Sequence, residues 1–232
     1  MTMCIRAIVT LLGIAFGLVA CGQPQTAKPP QAAQYSWLDE SACRPPCWEG
    51  ITPGVTTVTA TADLLKANPT IQHVRVTDLA YVNHDGEHEI RWGWTPPSPS
   101  TRGGYAFALN GSFMIDHVGL FLDTPVAFAS VQERLGPPSH ALLTVINDPH
   151  SNDATWKLDF IYFDQGMILS AISPTPLPLN TVTIGQVLFT HADEAHVLSQ
   201  LPSAVLYPWQ EGAALPTYCN EGVNYERCRL FQ

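Results

Sequence analysis

The chain has 232 residues, 11 of them basic and 20 acidic, with a formal charge of −9. No run of Lys or Arg is present to neutralise phosphates, which excludes nucleic acid as a natural partner. An apolar fraction of 46% excludes a wholly disordered chain, and 20 prolines point to a globular fold rich in turns and strands.

The N-terminus reads Met1-Thr-Met-Cys4-Ile-Arg6 and is then apolar from Ala7 to Ala20, the charge and length of a secretory signal. A membrane-spanning helix needs about 20 apolar residues, and this run is shorter. It ends in Leu18-Val19-Ala20-Cys21-Gly22, which resembles the lipobox of bacterial lipoproteins. The resemblance implies cleavage after residue 20, alkylation of the Cys21 thiol by a diacylglyceryl group, and display on the outer side of the cytoplasmic membrane or on the outer membrane. At about 0.8 kcal/mol per buried methylene, one acyl chain anchors weakly and two or more anchor stably. The Asp that retains some lipoproteins at the inner membrane is absent after the cysteine, where Gly22 stands. Loss of residues 1–20 removes Arg6 and no acid, leaving 10 basic residues against 20 acidic ones.

Residues 21–34 hold Gln, Pro and Ala and no large apolar side chain, and are expected to form an extended tether. A first unit, 35–123, follows. Thr56 or Thr57 can cap a helix whose Val58, Ala62, Leu64 and Leu65 face inward and which Pro69 stops. Apolar or alternating runs at Ile71 to Asn83, His88 to Thr95, Tyr105 to Leu109 and Phe113 to Leu122 then read as an antiparallel meander. Asn110-Gly111 between two of them is a strong hairpin signal, because both central positions of that turn need positive φ.

A second unit, 124–232, repeats the pattern. Thr124 can cap a helix through Leu135 that Gly136 ends, with strands at His140 to Ile146, Trp156 to Phe163 and Met167 to Ser173 and a tight turn at Asp164-Gln-Gly166. A weaker third copy starts at Leu177, with Ile184 to Leu188, a helix from Ala192 to Leu201 and a strand from Ala204 to Tyr207. The expected fold class is α+β: two helix-then-antiparallel-strand units, with a partial third.

Leu135-Gly136-Pro137-Pro138 after an amphipathic helix, followed by a hairpin ending Leu158-Asp-Phe-Ile-Tyr-Phe-Asp-Gln-Gly-Met-Ile-Leu169, resembles the helix-plus-hairpin repeat of small outer-membrane assembly lipoproteins and β-lactamase-inhibitor-like domains. The resemblance covers about 50 residues and implies binding of another protein by the face of a sheet. It carries over no catalytic residue. The opening Cys43-Arg-Pro-Pro-Cys47-Trp48-Glu-Gly-Ile-Thr-Pro-Gly also resembles that of a group of bacterial lipoproteins without a characterised reaction.

Apart from Cys4 and Cys21, four cysteines remain: Cys43, Cys47, Cys219 and Cys228. An even number suits an oxidising compartment, three pairings are open, and the local one closes a small loop at each end. A rigid Pro-Pro between Cys43 and Cys47 favours a structural disulfide over a redox or metal site.

The serines show no Gly-x-Ser-x-Gly elbow or Ser-x-x-Lys pattern, and no phosphate-cradling glycine loop is present. Histidines cluster with acids at His84-Asp85-Gly-Glu87-His88-Glu89 and His191-Ala-Asp193-Glu194-Ala-His196, ligand types that zinc takes. Turn geometry and helix-start acids account for both clusters without a metal, so no metal or cofactor is expected. Asp159, Asp164, Glu87 and Glu89 are candidates for an acid/base pair of the glycosidase kind. Trp92 and Trp94 share one strand face: they belong to the core, or, if that face is open, form a binding surface for protein or sugar. The sequence therefore favours a lipid-anchored, non-enzymatic module that binds an envelope protein or cell-wall component, over an extracytoplasmic hydrolase or a solute- or metal-binding lipoprotein.

Overall fold

The computed structural model describes residues 36–38, 43–78, 87–95, 103–109, 112–147, 154–174, 179–199 and 206–213. The expected signal and tether with Cys21, the expected turn at Asn110-Gly111, and Cys219 and Cys228 lie outside them. No helix among the described residues is long and apolar enough to cross a membrane.

Helix α1 (Val58–Ala67) begins where the Thr57 hydroxyl accepts from the Ala60 amide, and it leads into β1 (Ile71–Asp78), β2 (His88–Trp94), β3 (Gly104–Ala108) and β4 (His117–Ala127). Helix α2 (Phe128–Leu135) leads into β5 (His140–Asn147), β6 (Ala154–Tyr162), β7 (Met167–Ser173) and β8 (Thr183–Phe189). A short helix α3 (Glu194–Ser199) and the two-residue β9 (Tyr207–Pro208) follow. The nine strands among the described residues form one antiparallel sheet in the order β1-β2-β3-β4-β8-β7-β6-β5-β9. The class is mixed α+β, dominated by strands.

Alternation along each strand sorts side chains to two faces. One face carries Ile90, Trp92 and Trp94 of β2, Val118 and Leu120 of β4, Phe160 of β6 and Leu169 of β7, buried with Val58 and Leu65 of α1 and Phe128 and Val131 of α2 in a single cluster. Trp48 seals one end of this core, stacked on Trp92 at 5.6 Å and edge-on to Trp94 at 6.3 Å. Phe128 of α2 stacks on Phe160, and Trp209 meets both rings edge-on, near the other end.

Several expectations are corrected. Leu64, expected to face inward, is exposed, and Thr61 takes the buried position. Thr124 does not cap α2: Thr124 and Pro125 lie inside β4, whose end pairs with β8 through Val126↔Ile184 and Ala127↔Thr183, so the sheet claims this backbone first. Phe113 precedes β4 and is largely exposed. The segment at Ile184 to Leu188 does not open a third unit; it is β8, a central strand between β4 and β7. The Asp164-Gln-Gly166 turn forms as expected, with Gly166 left-handed at φ 56° and packed against the Thr190 carbonyl, where a Cβ would collide. Edge strand β1 is irregular between Gln72 and Arg75, where His73 adopts φ 56°.

Candidate functional site

The face of the sheet opposite the helices is built from the alternate residues of the same strands. Pairing register lines them up in rows across the sheet. Glu89, Phe107 and His117 form one row; Arg91, Tyr105, Gly119, Leu188, Ile168 and Ile161 form the next; Phe121, Gln186, Ser170 and Asp159 form a third. Over β2 to β4 these rows enclose a groove of about 620 Å³ whose walls include Glu89, Arg91, Tyr105, Phe107, His117 and Phe121. A smaller recess of about 70 Å³ continues from Tyr105 and Phe121 to Gln186, Ser170 and Lys157.

The aromatic wall is held by its own edges. Tyr105 meets Phe107 at 5.5 Å and Phe121 at 5.7 Å, and Phe107 meets His117 at 5.1 Å, all tilted or edge-to-face as ring quadrupoles prefer. Gly119 makes this possible, because a Cβ there would fall on the Tyr105 ring. Burial raises the Tyr105 pKa; the Arg91 charge lowers it and the Glu89 charge raises it further, so the phenol stays a neutral hydrogen-bond donor at physiological pH. Each of the four rings is half-buried, neither part of the core nor fully in water.

Charge is fixed at both ends of the strip. Arg91 Nε lies 2.7 Å from Glu89 Oε1, with the guanidinium outward at 72% exposure and the carboxylate tucked in at 9%. On β6, Lys157 Nζ lies 3.0 Å from Asp159 Oδ2, and the Ser170 hydroxyl donates to Asp159 Oδ1. In both pairs the carboxylate sits deeper than its cation. The site therefore offers stacking surfaces, one phenol donor, and cations whose counter-charges are held beneath them.

Trp92 and Trp94, considered from the sequence as core or as a binding surface, lie in the core, and Trp92 also lines the groove. Both are 4% exposed and belong to the helix-covered core under Trp48. The aromatic surface lies on the other side of the same sheet, in residues the sequence reading did not single out. Their signal was present: Tyr105-Ala106-Phe107-Ala108 alternates rings with alanines, and it is the alanines that are fully buried. Cys43 and Cys47 form the expected local disulfide.

Two of the acid/base candidates, Glu89 and Asp159, lie on strands far apart in the sheet. Glu89 on β2 and Asp159 on β6 are separated by five strand-to-strand steps, about 24 Å at the usual spacing, and Asp164 is exposed in the β6–β7 turn. Among the described residues, no three His, Cys, Asp or Glu side chains converge as metal ligands would; His84, Asp85 and the His196 side chain lie outside them. Set beside known proteins, the chain matches no family model, no curated sequence and no solved structure.

Proposed function

We propose that this chain is a bacterial lipoprotein, cut before Cys21 and anchored through acyl chains on it, whose folded part is a non-enzymatic binding module. The groove over β2, β3 and β4 is its recognition site and another envelope protein its partner. The observation that carries the reading is the half-buried ring set of Tyr105, Phe107, His117 and Phe121, walled by a fixed Glu89–Arg91 pair on the sheet face that neither α1 nor α2 covers. Interface hot spots favour this composition of aromatic residues and Arg, because large rigid groups bury much area at little entropic cost.

The chain order supports the two-unit reading. α1 precedes four consecutive strands and α2 precedes four more, and the strand order mirrors about the β4–β8 seam. That arrangement agrees with the resemblance to helix-plus-hairpin repeat domains, whose members bind proteins with the face of the sheet.

The test is a photo-crosslinking amino acid placed in the living cell at Phe107, with Ile172 on the same face as control and Cys21→Ser as the unanchored control. One envelope protein captured from position 107 alone, only with Cys21 intact, and lost in Arg91→Glu, is the expected result. Glycan adducts at 107 would reassign the occupant to the cell wall. Equal capture, or none, at both positions would end the groove reading.

A further inference from the structure

Tyr105 lies flat on Gly119, so its ring is the floor of the groove rather than a wall. Phe107 and Phe121 rise on opposite sides of it, at interplanar angles of 66° and 50° and centroid distances of 5.5 and 5.7 Å. His117 extends the Phe107 wall, at 84° to the floor, and its Nδ1 lies 3.0 Å from Asp116 Oδ2. The result is a slot about one ring wide that runs across the strands, with Arg91 at one end and Leu188 at the other, as the register of that row requires.

This shape selects among the ways a partner segment can bind. β2, β3 and β4 each carry a strand on both sides, so no free ladder is present there for a partner strand to join. An α-helix, about 10–12 Å across with its side chains, is too thick to lie in a slot whose floor is a single ring. A polyproline II segment is thinner, with three residues and a rise of about 9 Å per turn. Its pyrrolidine rings are apolar and conformationally fixed, so they pack on aromatic rings at small entropic cost, and its carbonyls have no internal donors. The slot offers both complements: a ring floor, and a Tyr105 hydroxyl that makes no hydrogen bond among the described residues and keeps contact with solvent.

Charge adds a third element. Arg91 is the register partner of Tyr105 and so closes one end of the slot. Its Nε is taken by Glu89 at 2.7 Å, while the guanidinium is 72% exposed and presents its remaining N–H donors outward. Arg75, exposed on β1, is the register partner of Arg91 and places a second cation in the same row. The Glu89 carboxylate is 9% exposed, so the accessible member of the ion pair is the cation, and the complementary group on an occupant is a carboxylate.

Resting on the groove as the recognition site, we propose that the partner segment it holds is proline-rich, in the polyproline II conformation, with an acidic residue beside the proline that stacks on Tyr105. The proline ring fills the slot, the Tyr105 hydroxyl donates to a carbonyl of the segment, and Arg91 pairs with the acid.

The experiment is calorimetric titration of the full chain, in dodecyl maltoside, with end-blocked peptides made of four Pro-Pro-Glu, four Ala-Ala-Glu or four Pro-Pro-Lys repeats. Saturable binding of the Pro-Pro-Glu peptide is expected, at least tenfold tighter than that of either other peptide. Tyr105→Phe keeps the floor and loses the donor, and should weaken binding several-fold; Arg91→Gln should remove the distinction between the Glu and Lys peptides. Melting curves check that both variants are folded. Equal binding of all three peptides, no binding of any, or binding that neither variant alters would overturn the proposal. In-cell capture from position 107 separates this outcome from failure of the groove itself. If an envelope protein is captured there while no peptide binds, or is captured through a segment without proline, the groove keeps its role and the proline-rich occupant falls; if capture fails as well, both fall.

Discussion

A Cβ at position 119 has nowhere to go except into the Tyr105 ring, which lies flat on the glycine. Gly119→Ala should therefore push Tyr105 off the sheet and destabilise the fold by about 1–3 kcal/mol, the usual range for overpacking. Urea unfolding reads the loss directly, and an unchanged midpoint would show that the ring is not seated there. A second residue-scale consequence concerns pH. Burial raises the pKa of Tyr162 far above its ordinary 10.0, and that of Tyr105 in the same direction. Below pH 10 both tyrosines are protonated in the folded and unfolded chains, so they add no slope. Above it the unfolded chain releases protons that the folded one keeps, and stability falls as pH rises. Tyr162→Phe removes one of these groups: it should cost roughly 0.5–1.5 kcal/mol at neutral pH, for the bond to Gly136, and make the alkaline decline shallower. Denaturant titrations at pH 8 and at pH 11 test both halves of the statement.

Strands β6 and β7 are joined by more than their backbone. Lys157, Asp159 and Ser170 form a cross-strand polar set in which the Asp159 side chain is 2% exposed and that of Lys157 30%. The two ends are not equivalent. Lys157→Met strands a buried carboxylate with only a hydroxyl for support and should cost about 3–5 kcal/mol, whereas Lys157→Met with Asp159→Leu should cost clearly less, because the desolvated charge is gone. If the double variant were the less stable of the two, the ion pair would be worth more than its desolvation. At this scale most strands were readable in the sequence, from apolar alternation bounded by Gly, Pro and Asp. What was not readable was decided by distant pairing. Thr124-Pro125 carries a good helix-start signal, yet β8 takes up the backbone beyond it. The groove was hidden for the same reason: Tyr105 and Phe107 look like core until the strand is paired, when the small Gly104, Ala106 and Ala108 take the buried side, with the Trp92 ring against Gly104.

Both halves of the chain contribute to one buried cluster, with Val58, Leu65 and Ile90 from the first half and Val131, Phe160 and Leu169 from the second. Strands β4 and β8 pair along the seam, and no layer of solvent-exposed residues divides the halves. The molecule should accordingly unfold in a single transition, with tryptophan fluorescence and far-ultraviolet dichroism giving the same midpoint. Two separated transitions would show that the mirrored halves fold as independent domains. The sequence division near residue 124 thus falls inside a strand of a shared sheet, a boundary of pattern rather than of stability.

One edge of that sheet is β9, two residues long and ending in Pro208; the other is β1, where His73 turns left-handed and the ladder breaks between Gln72 and Arg75. An open edge is a template on which a second chain can add a strand. The broken ladder of β1 offers no straight row of amides to copy, whereas on the other side β9 pairs only with His140 and Ala141 of the eight-residue β5. The kink at His73 thus works against strand addition at the β1 rim, and any growth of the sheet would have to start from the β5 side.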